Sequence, residues 1–399
     1  MPTASPSAKT PPAGSPEAAA SRPFFGLIDA VVVADPVDYQ FDGAITRADA
    51  AAAWTWMVRD VAPDLIARDA TEADPNAAPA LTALLPELLV RAKNVLASAG
   101  TSREIEHRLR TQLGGDDTYS RLPAVLLALK CRPALDKAQT FGRAANGIHD
   151  EAALAMALQS MPLQDRAIAA FLMMAAVGQV ANPGRLVTAA IRLAGGTSEA
   201  AIQRAGFGPL IDAMLAHAQN QIPALSQFGA YADMDLVCRA IDRFHRLVRA
   251  VHGYVELTRS GRWAMIVAGL TKAVSSRVEP KLRDVAPDVN VAMRRPREGP
   301  DRVNADQLLA ALNGVFLLAT VRDARDSLAL NALFDQTWTQ VGQSVEMHVQ
   351  RNLEMLRANP ADTTTAARLE TAIKMAELRF GTDYADILRR ARETALRNR

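Results

Sequence analysis

From Thr46 onward, apolar residues recur every three or four positions in segment after segment, the spacing of a helix with one buried face. The clearest segment predicts a helix from about Asp235 to Thr258. Its apolar seam is Val237, Ile241, Phe244, Val248, Val251 and Val255, widened by Leu236, Leu247 and Tyr254. A second helix is predicted from Asn331 to Asn359 on Phe334, Trp338, Val341, Val345, Val349, Leu353 and Leu356. Two more close the chain, broken at Gly381, with Thr382 capping the last. Period-two alternation is nearly absent. The β-branched stretch 31–33 in "FFGLIDAVVVADP" is the best strand candidate, but no partner strand stands out. A short helix or an extended lead-in is an equal reading.

The most apolar run, "AIAAFLMMAAVGQVANPG" at 167–184, lies between Arg166 and Arg185 and is interrupted by Gln179, Asn182, Pro183 and Gly184. A bilayer needs about 20 predominantly apolar residues, so a buried core helix is expected instead. Helix boundaries are expected at "AGTSREIEHRL" from Ala99 and "GGTSEAAIQ" from Gly195, where glycine ends one helix and Thr or Ser caps the next. Thr101 and Glu104 have capping-box spacing. Pro123, Pro133, Pro162, Pro183, Pro209 and Pro223 mark the other boundaries.

The heptapeptide "RDVAPDL" at 59–65 returns as "RDVAPDV" at 283–289. In both copies the residue before proline is biased out of the helix, so each reads as a helix end followed by a turn. Leu84, Leu85 and Leu88 recur at the same offset as Leu308, Leu309 and Leu312, whereas the upstream residues share no apolar register. A recurring helix corner is preferred over an internal duplication.

Composition fits this picture. The chain has 399 residues, 49% hydrophobic and only 5% aromatic, enough to bury a large core with small side chains between close helices. Residues 1–22 are rich in Pro, Ala and Ser and lack the apolar core of a signal peptide, so a disordered tail is expected. A helical main domain is expected over 23–285, a Pro- and charge-rich linker or long loop over 286–303, and a C-terminal helical subdomain over 304–399. The fold class is therefore all-α: an irregular multi-helix bundle, or a solenoid-like stack of antiparallel helices.

Charge and chemistry narrow function mainly by exclusion. The net charge of +2 does not by itself point to nucleic acid, and the positive charge is overwhelmingly arginine, as expected of a GC-rich bacterial genome. Further arginines gather at Arg294, Arg295, Arg297 and Arg302 and at the C-terminus, without the interleaved aromatics that base stacking needs. Cys131 and Cys238 are too few and too far apart for a disulfide framework or a cysteine zinc site, and they suit a reducing, cytoplasmic setting. Phosphate-cradling glycine loops, a zinc-protease His-Glu-x-x-His and a Gly-x-Ser-x-Gly nucleophile turn are all missing. No cofactor is expected.

What remains is the polar face of the 235–258 helix. Asp242, His245, Arg249, His252 and Glu256 lie opposite the seam, flanked by Arg239, Arg243 and Arg246. His245 and His252 are about 10 Å apart along the helix, too far to share one ion. Ion pairs Asp242–Arg246 and His252–Glu256 on a solvated face are one reading. The other is a basic surface of Arg239, Arg243, Arg246, Arg249, His245 and His252 that meets an acidic partner, a phosphate or an anionic membrane. Glu104/His107 and Asp242/His245 repeat the acid–imidazole spacing of di-metal bundles, but two pairs on charged segments fall short of such a site. His348, with Asn352 one turn on, reads as a partly buried, hydrogen-bonded histidine. The function expected is a non-catalytic helical scaffold or adaptor for a protein partner. The alternatives are a carboxylate/histidine metalloenzyme and a peripheral membrane protein that uses arginines and exposed apolar residues such as Trp263.

Overall fold

Alanine-rich segments of helical period fold as helices throughout residues 25–66, 77–226, 231–295 and 302–397, which the computed structural model describes. The expected tail at 1–22 and residues 296–301 of the expected linker lie outside them. The fold is all-α. The chain divides into two compact units, the first holding residues up to Ala181 with Arg192–Ala194 and Gln203–Ala216, the second holding the rest. The sequence placed its only internal boundary at 286–303 instead.

In the first unit, the 31–33 stretch does find a partner. Strand β1 (Val32–Val33) pairs in parallel with β2 (Ile45–Thr46), in the register Val32 to Ile45 and Val33 to Thr46. Thr46 then caps α1 (Arg47–Trp56), its Oγ1 accepting from the Asp49 N–H at 3.0 Å. Helices α2 (Ala77–Ala99), α3 (Arg103–Leu113), α4 (Asp116–Lys130), α5 (Arg132–Ala145), α6 (Glu151–Gln159) and α7 (Arg166–Gly178) follow. Pro123 does not mark a boundary, because it lies inside α4. Nor does the capping box form: α3 starts from Ser102 without a side-chain cap, and Thr101 Oγ1 donates to the Ser98 carbonyl instead.

The apolar run is a core helix. Every residue of α7 from Ala169 to Val177 is buried. It packs against α5, where Gly142 lets the two backbones approach so closely that a methyl group there would overlap the Ala176 carbonyl. Asn146 ties off the end of α7, donating to the Gln179 carbonyl at 3.0 Å and accepting from the Ala181 N–H at 2.9 Å.

Helices α8 (Pro183–Ala194), α9 (Glu199–Arg204) and α10 (Gly208–Gln219) contribute residues to both units. The second unit is built on α11 (Met234–Tyr254), α12 (Arg262–Met293), α13 (Ala305–Leu328), α14 (Asn331–Ala358), α15 (Thr363–Phe380) and α16 (Thr382–Arg397). The seam of α11 is buried at Val237, Ile241, Phe244, Val248 and Val251, with Val255 buried just past its end. Leu247 extends this seam, whereas Leu236 and Tyr254 are exposed. Both α11 and α12 pack on α13 more extensively than on each other.

The repeated heptapeptide takes two conformations. In the first copy the helix ends as expected: a π turn (Met57–Val61) leads to Ala62 at φ −143°, ψ 53°, and Pro63 starts a turn. The second copy is no corner. It lies wholly inside α12, which runs through Pro280 and Pro287, so residues 286–293 of the expected linker are helix. The physical reason is burial. An interior proline costs about 3 kcal/mol, but both prolines face solvent, while Val289, Ala292 and Met293 beyond them are buried. Burying a Val or Met side chain stabilises by about 1.5–3 kcal/mol each, enough to carry the helix onward.

Candidate functional site

A groove of about 1020 Å³ opens in the second unit, lined by α11, α12 and the C-terminus of α13. It exists because these consecutive helices lean on α13 rather than on each other. Small residues keep it open: Ala264 and Ala268 line one wall, and a side chain at Gly253 on the other would meet nothing within 4 Å. Val248, Leu257, Val267 and Leu330 are its apolar lining, with only Leu257 more than slightly exposed.

The polar lining contains half of the basic face read from the sequence. His245, Arg249 and His252 line the groove, whereas Arg239, Arg243 and Arg246 do not. Arg239 and Arg246 are held in exposed pairs with Asp235 at 2.8 Å and Asp242 at 2.9 Å, each worth a few tenths of a kcal/mol. Arg243 is half-buried, and desolvation pulls its guanidinium below the usual value. Glu256 turns away from the helix face. Its N–H donates to the Thr197 carbonyl at 2.9 Å, and its carboxylate accepts from Thr197 Oγ1 at 3.5 Å.

Sequence reading missed the other half of the lining: Arg259, Lys272, Thr271, Ser275, Glu279, Asp326 and Ser327. No local motif marks them, because they come from a loop and from faces of two other helices. Among the described residues, Arg249, Arg259 and Lys272 have no carboxylate partner, and Asp326 has no cationic one. Glu279 is taken by Arg283 at 2.5 Å.

His245 Nδ1 lies 2.9 Å from Ser327 Oγ, joining α11 to the end of α13. Burial first, then the Arg249 charge, pushes this imidazole below its ordinary value, against the opposite pull of Asp242 and Asp323. The shift favours the neutral imidazole. A serine beside a neutral imidazole has nucleophile–base geometry. The nearby Ala329 and Leu330 N–H groups are spent on the Asp326 and Arg325 carbonyls and so are not free to hold an oxyanion. The contact ties α11 to the end of α13. Thr271 Oγ1, donating to the Ser327 carbonyl at 3.4 Å, and Ser275 Oγ, bonded to the Leu328 carbonyl, reinforce it from α12.

The remaining histidines are scattered. His107 and Glu104 are exposed on α3 in the first unit, and Asp242 and His245 belong to the second. Among the described residues, no three His, Cys, Asp or Glu side chains gather closely enough to hold a metal ion. His348 is buried, with Nε2 3.1 Å from Asn290 Oδ1, and Asn352 Nδ2 donates to its carbonyl at 2.7 Å. Trp263 was expected to be exposed and is instead fully buried, so it cannot serve as a membrane anchor. No helix among the described residues is long and apolar enough to cross a membrane.

Comparison with protein-family models, with curated proteins and with solved structures gives no match. The reading of function therefore comes from the groove itself.

Proposed function

We propose that this chain is a non-catalytic helical adaptor that binds a partner protein through the α11–α12 groove. The single observation that carries the reading is a long concave surface with apolar walls in which Arg249, Arg259 and Lys272 are left without internal partners. Concave, mostly apolar surfaces with a few unspent polar groups are where ligands are held and oriented. Helices presenting such a groove commonly receive a short segment of another chain. On this reading the His245–Ser327 contact holds the end of α13 against α11 without any chemistry being asked of it.

Selection of phage-displayed random peptides on the full chain tests this. Gly253→Trp serves as a plugged control, since Gly253 lines the groove and a Cβ there meets nothing within 4 Å. Peptides should be enriched on the wild type and not on the plugged variant. No enrichment, or equal enrichment on both, would refute the groove as the working surface.

A further inference from the structure

We propose that the ligand of this groove is an extended acidic peptide segment, laid with its carboxylates over Arg249, Arg259 and Lys272. The inference rests on the groove being the working surface and adds the chemistry of what fills it. Cations elsewhere on the same two helices are satisfied within the fold. Arg239 and Arg246 pair with aspartates, Arg283 pairs with Glu279, and Arg277 donates to the Ile222 carbonyl at 3.1 Å and to Ser226 Oγ at 2.6 Å. Within the groove, Arg249, Arg259 and Lys272 have no carboxylate partner among the described residues, and a lining of this sign favours an anionic occupant.

Dimensions favour an extended chain. The α12 wall runs from Ala264 to Glu279, about 22 Å at 1.5 Å per residue. That length takes six or seven residues of extended peptide at about 3.3 Å each. Alternate side chains of such a segment point to opposite sides, so every second one can be turned toward the cations. A flat bilayer cannot enter a concave groove, and no Phe, Tyr or Trp lines it for base stacking, so peptide is favoured over membrane and nucleic acid.

Fluorescence anisotropy on the full chain provides the test, with a labelled heptapeptide alternating Glu and Leu against its Lys/Leu counterpart. The Glu peptide should bind, weaken with added salt, and lose at least about tenfold in affinity in the double variant R249E/K272E. R239E, outside the groove, should bind as the wild type does. Circular dichroism of each variant checks that the helices are intact. The proposal is overturned if the Lys peptide binds equally well, if R249E/K272E or Gly253→Trp leaves Glu-peptide affinity unchanged, or if tripolyphosphate or anionic vesicles bind while the peptide does not. Enrichment of non-acidic phage peptides would overturn this inference alone. Failure to enrich any peptide would remove the groove reading beneath it.

Discussion

Replacing Pro287 with alanine isolates the conflict between local preference and burial in the second heptapeptide. Pro287 sits inside α12 and cannot donate to the Arg283 carbonyl four residues earlier. Alanine restores that hydrogen bond, worth about 1 kcal/mol net, and removes ring crowding within an interior penalty of about 3 kcal/mol. Against this, alanine frees the unfolded chain, costing about 0.4–1 kcal/mol. The net expectation is a stabilisation of about 2–2.6 kcal/mol, roughly a 30- to 80-fold change in the opening equilibrium. Pro63→Ala in the first copy should have the opposite sign, because Ala62 and Pro63 already form a turn and only the unfolded-chain term remains. Because the chain holds two compact units, hydrogen exchange by mass spectrometry is the assay that localises the effect. Amides of 283–293 should gain protection in Pro287→Ala, and those of 57–66 should lose it in Pro63→Ala. If both variants shift in the same direction, the argument that burial holds the second copy helical is wrong.

Gly142→Ala should destabilise the first unit by about 1–3 kcal/mol, since the added methyl forces α5 away from the Ala176 carbonyl. Gly253→Ala, with open space at its Cβ, should instead stabilise α11 by roughly 0.5–1 kcal/mol. Thermal melts that fail to separate the two would contradict the packing described. Burial, then Arg351 and Arg294, lowers the affinity of His348 for protons in the folded chain. The unfolded chain therefore takes up a proton first as pH falls through about 6.5, and stability declines from there downward. His348→Gln should flatten part of that decline in urea midpoints measured between pH 5 and 7.5, and an unchanged slope would show that this imidazole is not the group responsible.

Much of the fold was legible in the pattern of side chains. A helical period with a buried stripe is a local property, so α11, α14 and the wholly apolar α7 could be placed within a few residues from sequence alone. Individual ends were less legible. The Thr101–Glu104 capping box is plausible in isolation, yet the chain caps α3 differently. The β1–β2 pair escaped notice because two-residue strands carry almost no periodic signal.

The sequence by itself determined that this protein is helical, that alanine and glycine allow its helices to approach closely, and that one helix carries arginines and histidines on the face opposite its seam. Tertiary structure alone decided which of those charges remain available. Arg239 and Arg246 found carboxylates one turn away on their own helix, whereas Arg249 lines a groove together with Lys272 and Arg259 from another helix and a loop, and none of the three pairs with a carboxylate among the described residues. The same holds for the repeated heptapeptide, whose identical residues turn at 59–65 and continue as helix at 283–289. Local preferences of a few kcal/mol are set by the residues themselves, but burial is set by neighbours distant in sequence, and where the two conflict burial prevails.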